Sequence, residues 1–169
     1  AATASGPPLA PAMTPPVPDL DPLTFNFDRD VPRPDETAAI NDPNGALHST
    51  FAGRGGKLIL YHGNSDQAMA TGVLTDWYNR LLPRNEKGPQ DWARLYLVPG
   101  MLHCAGGQAT DQFDMLEAIQ QWVEHGRAPD KVLASGNAFP GRTRPLCPYP
   151  AVARYDGGDP ESAASFSCR

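Results

Sequence analysis

The stretch GGKLILYHGNSD, Gly55 to Asp66, holds a continuous apolar run, Leu58 to Tyr61, between glycines. A run of that length bounded by turn residues reads as a strand buried on both faces, the kind found in parallel sheets covered by helices. After Asp66 the period changes. Val73, Leu74, Trp77, Leu81 and Leu82 share one stripe of a helix, capped near Thr71 and stopped by Pro83. ARLYLVPG repeats the strand signal from Leu95 to Val98. Asp111 to His125 then reads as a helix with Phe113, Leu116, Ile119, Trp122 and Val123 facing inward, ended by Gly126 and Pro129. Strand, helix, strand, helix with short connections predicts a right-handed parallel α/β sheet. KVLASG, Lys131 to Gly136, adds a short edge strand before an irregular, Pro-rich tail.

Upstream of Gly55 the signals weaken. Residues 1–20 contain Pro7, Pro8, Pro11, Pro15, Pro16 and Pro18, which remove backbone donors and predict an extended arm. Phe25 and Phe27 alternate, and a short helix is expected near Pro34 or Asp35. The carboxylates Asp28, Asp30, Asp35 and Glu36 lack the spacing of a calcium loop and read as a solvated face. With 19 prolines and 16 glycines in 169 residues, 40% of them hydrophobic, one core with many loops is expected. A net charge of -5 with no basic cluster argues against a nucleic-acid partner. No apolar stretch approaches the ~20 residues that cross a bilayer, so no membrane partner is expected, and the opening AATASGPPLAP does not read as an uncleaved signal peptide.

Ligands of parallel α/β sheets bind at the carboxyl ends of the strands, where the loops converge. Asp66 follows the first strand and His103 follows the second, in LYLVPGMLHCAGG. Neighbouring parallel strands lie ~4.8 Å apart, so their exit loops are able to bring the two side chains together. In such a couple the carboxylate sets the imidazole tautomer and the other ring nitrogen takes a proton from a nucleophile. No G-x-S-x-G turn occurs in the chain, and neither Ser49 nor Ser65 sits on a strand-to-helix elbow. Singly, an Asp after a strand is also a turn former and a loop His also a surface residue. The order acid, then histidine, matches the last two members of an α/β-hydrolase triad.

Three cysteines leave one over. Cys147 and Cys168 lie in the tail with the least hydrophobic support, and their pairing is expected there, as in secreted proteins. Cys104 is then a buried free thiol, half of a bridge to another segment, or a metal ligand with His62, Asp66 and His103, although adjacent His and Cys suit one tetrahedral ion poorly.

Taken in order, GGKLILYHGNSD, LVPGMLHCAGG, RPLCPYP and ASFSC resemble the carboxyl-terminal part of the tannase and feruloyl esterase family, from about Asp21 to the end. The resemblance implies an α/β-hydrolase with a large lid and a Ser-Asp-His triad, in which Asp66 is the acid and His103 the base. It implies that Cys104 bridges to a cysteine immediately before the nucleophilic serine, outside this chain. It also implies three regions: an arm over 1–20, the end of the lid and its return to the core over 21–54, and hydrolase core over 55–169. No cofactor is implied in this segment; calcium, where relatives bind it, belongs to the lid. The implied partners are the amino-terminal portion of the same enzyme and an aromatic ester such as a gallate or hydroxycinnamate, in a secreted or periplasmic setting. Asn64 and Gln67 depart from the bulky apolar residue and the proline that relatives often carry there. A non-catalytic binding module is the alternative from another class, and a metal hydrolase is a third.

Overall fold

A computed structural model describes residues 22–24, 26, 28, 46–81 and 89–169. Two compact units divide the chain, Ala1–Asn44 and Gly45–Arg169. In the first, Pro22–Thr24 form a 3-10 turn and the Asp28 N–H donates to the Asn26 side chain at 3.0 Å. The expected Pro-rich arm, the pair Phe25 and Phe27, the helix near Pro34 or Asp35, and Leu82 and Pro83 lie outside the described residues.

The second unit is organised by β1 (Leu58–Gly63) and β2 (Ala93–Val98), which pair in parallel from Leu58 opposite Ala93 to Gly63 opposite Val98. α1 (Ala46–Gly53) precedes them, α2 (Thr71–Arg80) lies between them and α3 (Met115–His125) follows. The strand buried on both faces is β2: Ala93, Leu95, Tyr96 and Val98 are fully buried, whereas Tyr61 of β1 is 47% exposed. Side-chain alternation sends Ala93 and Leu95 to one face, packed with Leu74, Trp77 and Tyr78 of α2. Tyr96 and Val98 go to the other, with Ile59 of β1 and Met115 and Ala118 of α3. Each large side chain removed from water in this way stabilises the fold by about 1.5–3 kcal/mol.

Leu74 and Trp77 of α2, Leu81 at its end and Trp122 of α3 pack inward as their sequence suggests, but Val73, Leu116 and Val123 do not. On α2, Val73 is 68% exposed while Tyr78 is buried, its hydroxyl donating to the Ala93 carbonyl at 3.2 Å. A tyrosine enters a core when its O–H finds an acceptor, and burial pushes this phenol's pKa up. The helix is entered through Ala70, which offers no capping side chain, rather than capped by Thr71. α3 begins at Met115, not Asp111, because Gln112–Phe113 pair as strand β3. Asp114 caps it, Oδ1 accepting the Glu117 N–H at 2.8 Å, and Gly126 closes it in the left-handed region. Met115, Ala118 and Trp122 face inward; Leu116 and Val123 are exposed. The two stripes are offset by one residue, ~100° around the helix, and are similarly apolar, so packing decides between them.

β4 (Val132–Ser135) is not an edge strand: it lies between β3 and β5 (Arg144–Leu146) in an antiparallel sheet. The tail, expected to be irregular, also forms β6 (Ala153–Tyr155) and β7 (Phe166–Cys168), an antiparallel pair. These strands are three residues long and too short to show a period in sequence. The expected Cys147–Cys168 disulfide is present, with Cα atoms 5.5 Å apart. Closing a loop of that size stabilises by roughly 3 kcal/mol in the chain-entropy model. Arg142 and Glu161 add a bidentate pair, Nε to Oε2 at 2.6 Å and Nη2 to Oε1 at 2.9 Å.

Gly63 ends β1 against the loop that leaves β2. A Cβ there would lie 2.3 Å from the Met101 carbonyl oxygen and 2.4 Å from that of Leu102, closer than any side chain tolerates. Gly100, with φ 74°, makes the turn out of β2. The Asn64 N–H donates to the Val98 carbonyl and the Ser65 N–H to the Met101 carbonyl, both at 3.0 Å, so the two exit loops are joined through their backbones. Gly63→Ala forces these loops apart and should destabilise the protein by about 1–3 kcal/mol, read as a lower midpoint of thermal unfolding.

Candidate active site

Asp66 stands in the turn that leaves β1. Its N–H donates to the Gly63 carbonyl at 3.1 Å, and its Oδ1 accepts the N–H groups of Ala68 at 2.7 Å and Met69 at 3.1 Å. This is an Asx-type turn: the short carboxylate satisfies backbone donors two and three residues on, which fixes its own rotamer. The remaining oxygen, Oδ2, lies 2.8 Å from Nδ1 of His103. The Asp66 side chain is 3% exposed and that of His103 is 58% exposed. The Asp66 pKa is held down to about 2, first by the hydrogen bond from His103. Burial opposes that shift; the Ala68 and Met69 N–H groups and the charge of His103 add to it.

These observations set the tautomer. An ionised carboxylate only accepts, so Nδ1 of His103 carries the proton and donates it to Oδ2. In the neutral ring Nε2 then presents a lone pair from a largely exposed side chain, and when that lone pair takes a proton the imidazolium forms directly against a carboxylate. Such an arrangement is able to act as a general base steadied by an acid.

The His103 loop is tied at its base. Met101 bridges to Gly107, the Leu102 N–H donates to the Gly106 carbonyl at 3.2 Å, and the Ala105 N–H to the His103 carbonyl at 2.9 Å. Asp111 closes the loop by accepting the Gly106 N–H on Oδ2 at 2.7 Å. Asp111 lies before α3 rather than inside it, and its role has no signature in the sequence, because an acid five residues after a glycine carries no motif. Cys104 is exposed rather than buried, takes φ 66°, and is a free thiol among the described residues. A β-carbon in the left-handed region is disfavoured by roughly 1–2 kcal/mol, and departures of this kind cluster at functional sites.

His62, on β1 four residues before Asp66, joins the cluster. Its Nδ1 lies 3.9 Å from Asp66 Oδ2 and its Nε2 lies 3.1 Å from the Met69 carbonyl oxygen. In the sequence His62 stands out only as a ligand type. Among the described residues no group of three or more His, Cys, Asp or Glu side chains is arranged to hold a metal ion. Cys147 and Cys168 are bonded to each other in the tail. Ser65 lies in the β1 exit turn and Ser49 in α1. No helix among the described residues is long and apolar enough to cross a membrane.

The chain is similar to known proteins over nearly its whole length. Mono(2-hydroxyethyl) terephthalate hydrolase of Piscinibacter sakaiensis is 50% identical over 130 residues, covering 71% of this chain and 21% of that protein. The crystal structure of an esterase from Aspergillus oryzae superimposes with a TM-score of 0.74 at 25% identity, covering 90% of this chain and 35% of the other. That of feruloyl esterase B from Aspergillus oryzae gives 0.69 at 25% identity, covering 89% and 34%. The chain therefore spans between about a fifth and a third of the length of these relatives. The family model for tannase and feruloyl esterase matches residues 12–169, through both exit loops and the disulfide-linked tail, and on that match the chain belongs to the tannase and feruloyl esterase family.

Proposed function

We propose that this chain carries the acid and the base of a serine ester hydrolase acting on esters of aromatic carboxylic acids. The observation that carries the reading is the contact of Asp66 Oδ2 with His103 Nδ1 at 2.8 Å, which leaves Nε2 on an exposed face. Family membership supports ester hydrolysis. Two relatives named for a terephthalate monoester and for feruloyl esters support an aromatic acyl group. Gallate and hydroxycinnamate esters are the substrates to try first.

In this reading the serine and most of the oxyanion hole belong to the amino-terminal portion of the same enzyme. β1 pairs only with β2 among the described residues, so its other edge is available to continue an α/β-hydrolase sheet. The serine hydroxyl passes its proton to Nε2 of His103 as its oxygen attacks the ester carbonyl, and Asp66 stabilises the imidazolium through Nδ1–H. The ring returns that proton to the departing alcohol, leaving an acyl-serine. Water, deprotonated by the same ring, then attacks and releases the aromatic acid. Cys104 bridges to the cysteine before the serine. Such a tie keeps base and nucleophile in register, where an error of 1 Å lowers rate by about 10²-fold. The Cys147–Cys168 disulfide supports a secreted or periplasmic setting. The chemistry of these residues needs no cofactor, and any calcium belongs to the lid.

Asp66→Asn and His103→Ala, made in the full-length enzyme, should each lower kcat on methyl gallate or methyl ferulate by roughly 10³–10⁴-fold. Turnover unchanged in both would instead favour a non-catalytic module. Because the Asp66 pKa is lowered from 3.8 to about 2 on folding, its stabilising contribution is present above pH 3.8 and fades as pH falls toward 2. The difference in thermal midpoint between wild type and Asp66→Asn should therefore shrink across that interval. Non-reducing mass spectrometry of the full-length protein should find the peptide containing Cys104 cross-linked to a second peptide; a free thiol there would count against the bridge.

A further inference from the structure

We infer that His62 is a positioning residue for Asp66, holding the β1 exit turn so that Oδ2 stays directed at His103; this inference rests on the proposed hydrolase reading. A carbonyl oxygen only accepts, so at 3.1 Å from the Met69 oxygen, Nε2 of His62 carries the proton and donates it. The Met69 backbone is thereby held on both sides of its Cα, its N–H by Asp66 Oδ1 at 3.1 Å and its carbonyl oxygen by His62. The ring spans the turn from the strand to its far end, and its other edge, Nδ1, stands 3.9 Å from the oxygen that meets His103.

Burial supports a role inside the protein rather than on substrate. The His62 side chain is 11% exposed, against 58% for His103, so it packs beside the carboxylate while His103 faces outward. The turn it closes has few other supports. Between Asp66 and α2 the chain runs through Gln67, Ala68, Met69 and Ala70, all exposed, with neither helix nor strand. Met69 is 58% exposed and adds little packing. Asp66 Oδ1 holds the turn from the carboxylate side, and His62 holds it from the strand. Without the second hold, Met69 swings with its neighbours and the Asp66 rotamer loosens with it. Oδ2 has to meet a ring on another loop within hydrogen-bond reach, so a small loss of aim weakens the base.

The test compares His62→Ala, His62→Gln and Asp66→Asn in the full-length enzyme on one aromatic methyl ester. The Gln amide nitrogen occupies the place of Nε2 and still donates to the Met69 oxygen; Ala does not. kcat of His62→Ala should fall roughly 10- to 100-fold with KM within about twofold of wild type, and His62→Gln should recover most of the loss. Should His62→Ala fail to fold, His62→Asn replaces it, since its shorter amide does not reach Met69; equal kcat for the Asn and Gln variants would overturn the inference. A raised KM with kcat unchanged would make His62 a substrate contact and overturn it likewise. Full activity in His62→Ala alongside an inactive Asp66→Asn would overturn it while leaving the acid–base couple standing. An active Asp66→Asn would remove both.

Discussion

Two backbones meet at Gly63, and the geometry of the site follows from that contact. The carbonyls of Met101 and Leu102 occupy the volume where a β-carbon would otherwise stand. With the exit of β1 laid against the loop from β2, Asn64 and Ser65 donate into that loop, and the residues just beyond the contact, Asp66 and His103, come within hydrogen-bond distance. Parallel pairing of β1 with β2 is the precondition, since it sends both strands out at the same end of the sheet.

A single buried carboxylate then serves two purposes through its two oxygens. Oδ1 organises its own turn through Ala68 and Met69, and Oδ2 organises the imidazole. Because the oxygens are rigidly joined, any force that steadies the turn also aims the second oxygen. The donors around Asp66 outweigh the desolvation that would protonate it, so it remains an acceptor and keeps His103 in one tautomer. Asp111 acts similarly on the other loop, where a carboxylate on Gly106 N–H closes the hairpin that presents His103.

The rest of the unit supplies rigidity to those loops. β2 is covered on both sides, by α2 through Tyr78 and by α3 through Met115 and Ala118, so the strand that launches the histidine loop is anchored at each face. The tail is fastened by a covalent bridge and by the Arg142–Glu161 pair, which replace the apolar burial that three-residue strands are too short to provide.

β1 and β2 were legible because uninterrupted apolar runs between turn residues have few alternatives. The pairing of Cys147 with Cys168 was legible too, because that tail has little else to hold it. Position in the chain placed Asp66 and His103 at strand exits, and the family pattern came from motifs near them. What faces inward was decided by packing. On α3 the stripe through Met115 and Trp122 and the stripe through Leu116 and Val123 are both apolar, and only contact with Tyr96 and Val98 selects the first. Tyr78 became core through one hydroxyl contact with Ala93, β4 became central because β3 and β5 found it from both sides, and His62 and Asp111 acquired partners that no spacing encodes. Local sequence determines which elements form, because period and turn chemistry act between near neighbours. Outside the strand exits and the cysteine pair, tertiary structure determines which side chains meet, because those contacts join residues whose separation along the chain carries no signal.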